Sequence, residues 1–116
     1  MLEIEKRLNY ILLKKRLISI KDNISVYDFK FDKDIYLSVN NKCYFPFGME
    51  GCKNHNIVKI QVCLDEKIKF ILDNSLEFFI GLDADSCDTP EAFSLKSTEN
   101  NIYLIYNNFN EVYDFR

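Results

Sequence analysis

Residues 24–39, ISVYDFKFDKDIYLSV, decide the fold class. Tyr27, Phe29 and Phe31 alternate with Asp28 and Lys30, and Ile35, Leu37 and Val39 alternate with Tyr36 and Ser38. A period of two puts each apolar set on one face of a half-buried strand. Asp32-Lys33-Asp34 between them is polar and short, so the two runs form a hairpin.

The same pattern continues on both sides. Downstream, Asn40-Asn41 turns the chain into CYFPF (43–47), where Pro46 marks an edge or an irregular end. FGMEGCKNHN (47–56) holds two of the three glycines and reads as a loop. IVKIQVCL (57–64) places Val58, Ile60, Val62 and Leu64 on one face. Strands are also expected at KIKFIL (67–72), LEFFIGL (76–82), NIYLIYN (101–107) and EVYDF (111–115). Thr89-Pro90-Glu91 has the form of an N-cap, a proline at the first helical position and an acid in the first turn, which predicts a short helix at 90–96. Upstream, LISI (17–20) is either a short strand or the end of a helix. Ile4, Leu8, Ile11 and Leu12 follow the i, i+4, i+7, i+8 spacing of one helical face, predicting a helix at about 2–15 with bases in its last turn. The expected architecture is a single α+β domain over residues 1–116: an N-terminal helix on a mostly antiparallel sheet of about six to eight short strands.

A chain of 116 residues can bury about two thirds of its unfolded surface. Its 47% hydrophobic content, with 10 Phe and 7 Tyr, excludes a disordered composition. No apolar run approaches the roughly 18 residues of a membrane span. The N-terminal stretch MLEIEKRLNYILLKKRL lacks the apolar core and cleavage site of a secretion signal, so a cytoplasmic location is expected, with Cys43, Cys52, Cys63 and Cys87 reduced. Charge is segregated. Residues 1–21 hold six bases and two acids, and residues 22–72 hold seven of each. Residues 73–116 hold nine acids against Lys96 and Arg116. An acidic third of this kind repels nucleic acid and speeds encounter with basic proteins.

The acids concentrate in FFIGLDADSCDTPE (78–91). Asp83-x-Asp85 after a buried run has the dipeptide pattern of Mg²⁺-dependent phosphohydrolases, but too little chain follows for their alternating α/β units. A Ca²⁺ loop would need an acid at 87, where Cys87 stands, and a glycine that is absent. Cys43, Cys52, His55 and Cys63 are the ligand types of a structural Zn²⁺, without the paired knuckle spacing. His55 is the one histidine, which excludes two-histidine nuclease chemistry. No phosphate-cradling loop, nucleophile elbow or dinucleotide fingerprint is present. The expectation is a binding protein without cofactor and without catalysis.

A small, acidic, aromatic-rich single domain without catalytic motifs resembles the immunity proteins that protect bacteria from polymorphic or contact-dependent growth-inhibition toxins. The resemblance implies a tight inhibitor of a cognate toxin, often a basic nuclease, acting as a monomer without touching nucleic acid or membrane. Asp83, Asp85, Asp88 and Glu91 are the expected contacts, backed by Glu99, Glu111 and Asp114. Tyr103 and Tyr106 are candidate aromatic anchors beside them. A phage-encoded inhibitor of a host defence nuclease has the same physics. A zinc-stabilised adaptor built on the Cys/His set is the alternative of a different class.

Overall fold

The structure, a computed structural model, describes residues 2–115. Helix α1 (Glu3–Leu12) is followed by ten strands: β1 (Arg16–Asn23), β2 (Val26–Phe31), β3 (Ile35–Val39), β4 (Cys43–Tyr44), β5 (His55–Cys63), β6 (Lys67–Leu72), β7 (Glu77–Gly81), β8 (Glu91–Ser97), β9 (Ile102–Asn107) and β10 (Val112–Phe115). All pairings are antiparallel, in the order β10-β9-β8-β3-β2-β1-β5-β6-β7-β4. The α+β expectation holds at that level, but the molecule is mostly sheet and has more strands than expected. No helix among the described residues is long and apolar enough to cross a membrane.

The sheet folds over between β1 and β5. These strands share only two paired positions, Arg16↔Asn56 and Leu17↔His55. Each carries a bulge beside them, between Leu17 and Ser19 on β1 and between Ile57 and Lys59 on β5. Bulges bend a strand and increase its twist. They also reset its facing: Leu17 and Ile20 are both buried, as are Ile57 and Ile60, while Ile18 and Val58 are exposed. The expected apolar face of Val58, Ile60, Val62 and Leu64 is therefore wrong at Val58 and Leu64, which is also exposed. The fold-over brings the ring of Phe29 on β2 to 5.1 Å from Phe78 on β7, with three strands between them in the sheet order. Phe70 stacks on Phe78 at 4.7 Å, and Phe45 closes the cluster.

Helix α1 buries Ile4, Leu8, Ile11 and Leu12, as its spacing predicts. Its polar side chains serve the stretch of β5 that β1 leaves unpaired. Glu5 Oε2 accepts the Val62 N–H at 2.8 Å, and Asn9 Nδ2 donates to the Ile60 carbonyl. The helix ends at Leu12, short of the expected residue 15, because Lys14 turns into the left-handed region at φ 68° and donates its N–H to the Ile57 carbonyl. Lys14, Lys15 and Arg16 consequently lie beyond the last turn, which has no basic residue.

Residues 90–96 form no helix. Glu91–Ser97 is β8, a central strand between β3 and β9. Pro90 immediately precedes it, where no ladder N–H is required. A bulge between Glu91 and Phe93 buries Ala92 and Phe93 in succession, which masks the alternation in the sequence. The Thr89 hydroxyl donates to the Glu91 carbonyl across this entry instead of capping a helix.

Candidate functional site

The acidic stretch is a turn folded back on the end of β7. Asp83 begins a single 3-10 turn over Ala84–Ser86. Ser86 is fully buried, and its hydroxyl donates to Asp83 Oδ1. That hydroxyl has one proton, so Tyr44 is the donor in the 3.0 Å bond between the two hydroxyl groups. Glycine at 81 makes the fold-back possible. A Cβ there would stand 2.1 Å from Ser86 Oγ and 2.4 Å from Ser86 Cβ. The glycine that interrupts FFIGLDADS thus marks a close approach between strand end and turn.

A buried pair of amides ties this turn to the rest of the sheet end. Asn41, 1% exposed, donates to the Gly81 carbonyl at 2.9 Å and to Asn108 Oδ1 at 2.7 Å. Asn108 donates back to Asn41 Oδ1 and to the Thr89 carbonyl. Its own N–H reaches the Pro90 carbonyl. Four segments meet there: the β3–β4 crossing, the end of β7, the approach to β8 and the β9–β10 turn. A satisfied buried network of this kind fixes one arrangement, because any member left unpaired costs more than its bond contributes.

The β9–β10 turn presents Phe109, 75% exposed, at its tip. Asn107 holds the turn by accepting the N–H groups of Phe109 and Glu111 and by donating to the Glu111 carboxylate. Two adjoining open grooves run under Phe109. One, of about 400 Å³, is lined by Leu64, Asp65, Leu82 and the 106–110 turn. The other shares Asp65, Leu82, Asn108 and Phe109 with it and extends to Cys87, Asp88 and Pro90. The β5–β6 turn with Asp65 and Glu66 is anchored here by the Leu82 N–H donating to the Glu66 carbonyl.

Among the expected contact residues, Asp83, Asp85, Asp88, Glu91 and Glu111 are exposed and gather at this end. Asp83 is partly engaged by Ser86, whereas Asp65, Asp85, Asp88 and Glu91 have no ion-pair partner among the described residues. Their field reaches the neighbouring groups. Burial pushes the Cys87 thiol pKa up, reinforced by Asp83 and Asp88. Burial also raises that of the Tyr106 hydroxyl, with Asp65 adding to it.

The remaining candidates lie elsewhere. Glu99 stands in the β8–β9 turn, at the far end of strands about 20 Å long. Tyr103 projects from the outer sheet face toward that same end. Tyr106 is 2% exposed, packs on Phe93 and donates to Asn110, so it is core and not a surface anchor. Asp114 pairs with Arg7 of α1, whose Nη1 donates to Oδ1 at 2.6 Å while Nη2 reaches Oδ2. Asp65, Glu66 and Phe109 were not singled out from the sequence. An aromatic in NNFN (107–110), a run of turn-forming asparagines, was the available signal for Phe109.

The zinc set is not assembled. No three His, Cys, Asp or Glu side chains gather as a metal site among the described residues, which also leaves Asp83 and Asp85 without a third carboxylate. Cys43 and Cys52 are buried separately, Cys63 is exposed, and His55 Nδ1 pairs with Asp73 at 2.7 Å. Burial pushes the Cys43 and Cys52 thiols up, away from nucleophilic thiolate. No family model matches the chain, and neither a curated protein nor a solved structure matches it.

Proposed function

We propose that the chain is a protein inhibitor of the immunity type, which captures a basic toxin domain on the acidic end of its sheet. The observation that carries this reading is the setting of Phe109. An exposed ring and two open grooves bordered by Asp65 and Asp88 lie at the end of the sheet that also carries Asp85 and Glu91, held in place by the Asn41–Asn108 pair. A central aromatic anchor inside a charged rim suits tight association, the ring supplying affinity and the rim supplying encounter rate. Preorganisation lowers the ordering cost of binding. The inhibitor works by occupation, without turnover or cofactor, in the cytoplasm and as a monomer. A nuclease is the favoured target, because its nucleic-acid site is a basic surface that carboxylates can cover.

Salt dependence tests the electrostatic half of this reading. Association with a basic toxin domain should slow by tenfold or more between roughly 20 and 150 mM salt, with a smaller change in dissociation. An association rate independent of salt rejects it.

A further inference from the structure

The outer face of the β10-β9-β8-β3-β2-β1 half has a different character. The register aligns Ser19, Lys30, Tyr36, Lys96, Tyr103 and Phe115 in one row across six strands. Rings and ammonium groups alternate along it. Tyr36, Tyr103 and Phe115 are each more than 40% exposed. Lys30 Nζ sits 5.8 Å from the Tyr36 ring centre, and the Tyr103 and Phe115 rings are 5.6 Å apart. The adjacent row begins with Lys21, ends with Tyr113 and has Ser38 and Ser94 in its middle. Asp28 is the one carboxylate in the two rows, and it already accepts hydrogen bonds from Ser38 and Asn23. A groove of about 240 Å³ opens beside Ser19, Lys21, Lys30, Tyr36 and Ser38.

We propose that this face binds single-stranded nucleic acid, with bases stacked on Tyr36 and Tyr103 and phosphates held by Lys30 and Lys96. Charge complementarity favours this occupant, since three lysines face one engaged carboxylate across the two rows. The chemistry of the face points the same way. Ile105 is the one aliphatic side chain in the two rows, the rest being rings, ammonium groups, serines and Asp28. Exposed rings offer a π-face to any base, and serine hydroxyls can meet sugar and base edges. Six strands at about 4.8 Å spacing span roughly 24 Å, room for about four nucleotides. The sequence argument against nucleic acid rested on the summed charge of residues 73–116, which does not record which side of the sheet each carboxylate occupies. The acidic turn lies at the opposite strand end from Lys96, which is five residues, about 16 Å, along β8 from Glu91 and so beyond a screening length of about 8 Å, while Glu111 reaches Tyr113 at the edge of the second row. Asp32, Asp34 and Glu99 occupy the turns that flank the row, two residues from Lys30, two from Tyr36 and three from Lys96.

The test is fluorescence polarisation of labelled ten-nucleotide dT and rU strands with the full chain, at roughly 20 and 150 mM salt. Binding at low salt that weakens with salt is expected, and preference between the two strands distinguishes RNA from DNA. Tyr36→Ala with Tyr103→Ala should weaken binding at least ~10-fold, whereas Tyr36→Phe with Tyr103→Phe should retain it. Lys30→Gln with Lys96→Gln should reduce the log–log salt slope by about 1.4, at roughly 0.7 per phosphate contact. These side chains face solvent, and an unchanged unfolding midpoint verifies that each variant folds. Absence of binding at 100 μM protein and low salt (about the limit of useful affinity), or equal binding by the alanine variant, overturns the proposal. Equal competition by a poly-glutamate peptide also overturns it and makes the face a protein surface.

Discussion

Replacing Gly81 by alanine probes the contact that shapes the acidic turn. The added methyl would lie 2.1 Å from Ser86 Oγ, 2.4 Å from Ser86 Cβ and 3.1 Å from Tyr44 Cε2. Ser86 cannot swing outward freely, because it is fully buried and bonded to Asp83 and Tyr44. The turn must lift from the strand. Overpacking of this kind costs about 1–3 kcal/mol, and each lost hydrogen bond adds about 1. Gly81→Ala should therefore destabilise by roughly 2–4 kcal/mol, a large share of a typical domain's stability. Urea unfolding followed by circular dichroism measures this as a lower midpoint at constant slope. The same substitution in a Ser86→Gly background removes both clashing atoms, so it should there cost less than half as much. The coupling between the two sites is then at least about 1 kcal/mol. A cost below about 0.5 kcal/mol, or an equal cost in both backgrounds, would refute the close approach.

Two further outcomes follow from the geometry. A thiol reagent should label exposed Cys63 in the native protein at once and reach Cys43 and Cys52 only on unfolding; rapid labelling of Cys43 would contradict its burial. Asp73 is held below the ordinary carboxyl value of 3.8, first by its hydrogen bond with His55 and then by the Asn56 N–H. A lowered folded-state pKa contributes stability above the unfolded value that is lost as pH falls through the folded one. The stability gap between wild type and Asp73→Asn should thus shrink below about pH 4, and a gap that widens there would reverse the assigned cause.

The hairpin at 26–39, the strands at 67–72 and 102–107 and the apolar face of α1 were legible because their burial has a single period. The errors sit where the period breaks. Bulges at Leu17/Ser19, Ile57/Lys59 and Glu91/Phe93 each shift the facing by one residue, and one of them disguised β8 as a helix. Bulges depend on how strands meet in three dimensions, which local pattern does not record. The acidic turn was visible as composition. Its convergence with Asp65 and Phe109 was not, because those residues come from turns brought together by the Leu82–Glu66 backbone bond and the Asn41–Asn108 bridge, which no local pattern records. The Tyr/Lys row has the same origin: its members are far apart in sequence and are aligned only by strand register.

The most direct test of the inhibitor reading compares two tagged forms of the chain in cells producing the toxin. One is wild type; the other carries Asp85→Lys, Asp88→Lys and Phe109→Ala, all at exposed positions. The account predicts that wild type co-purifies with a stoichiometric basic toxin domain and restores growth, while the folded variant does neither. A toxin neutralised equally by both forms, or no toxin held by wild type, would contradict it.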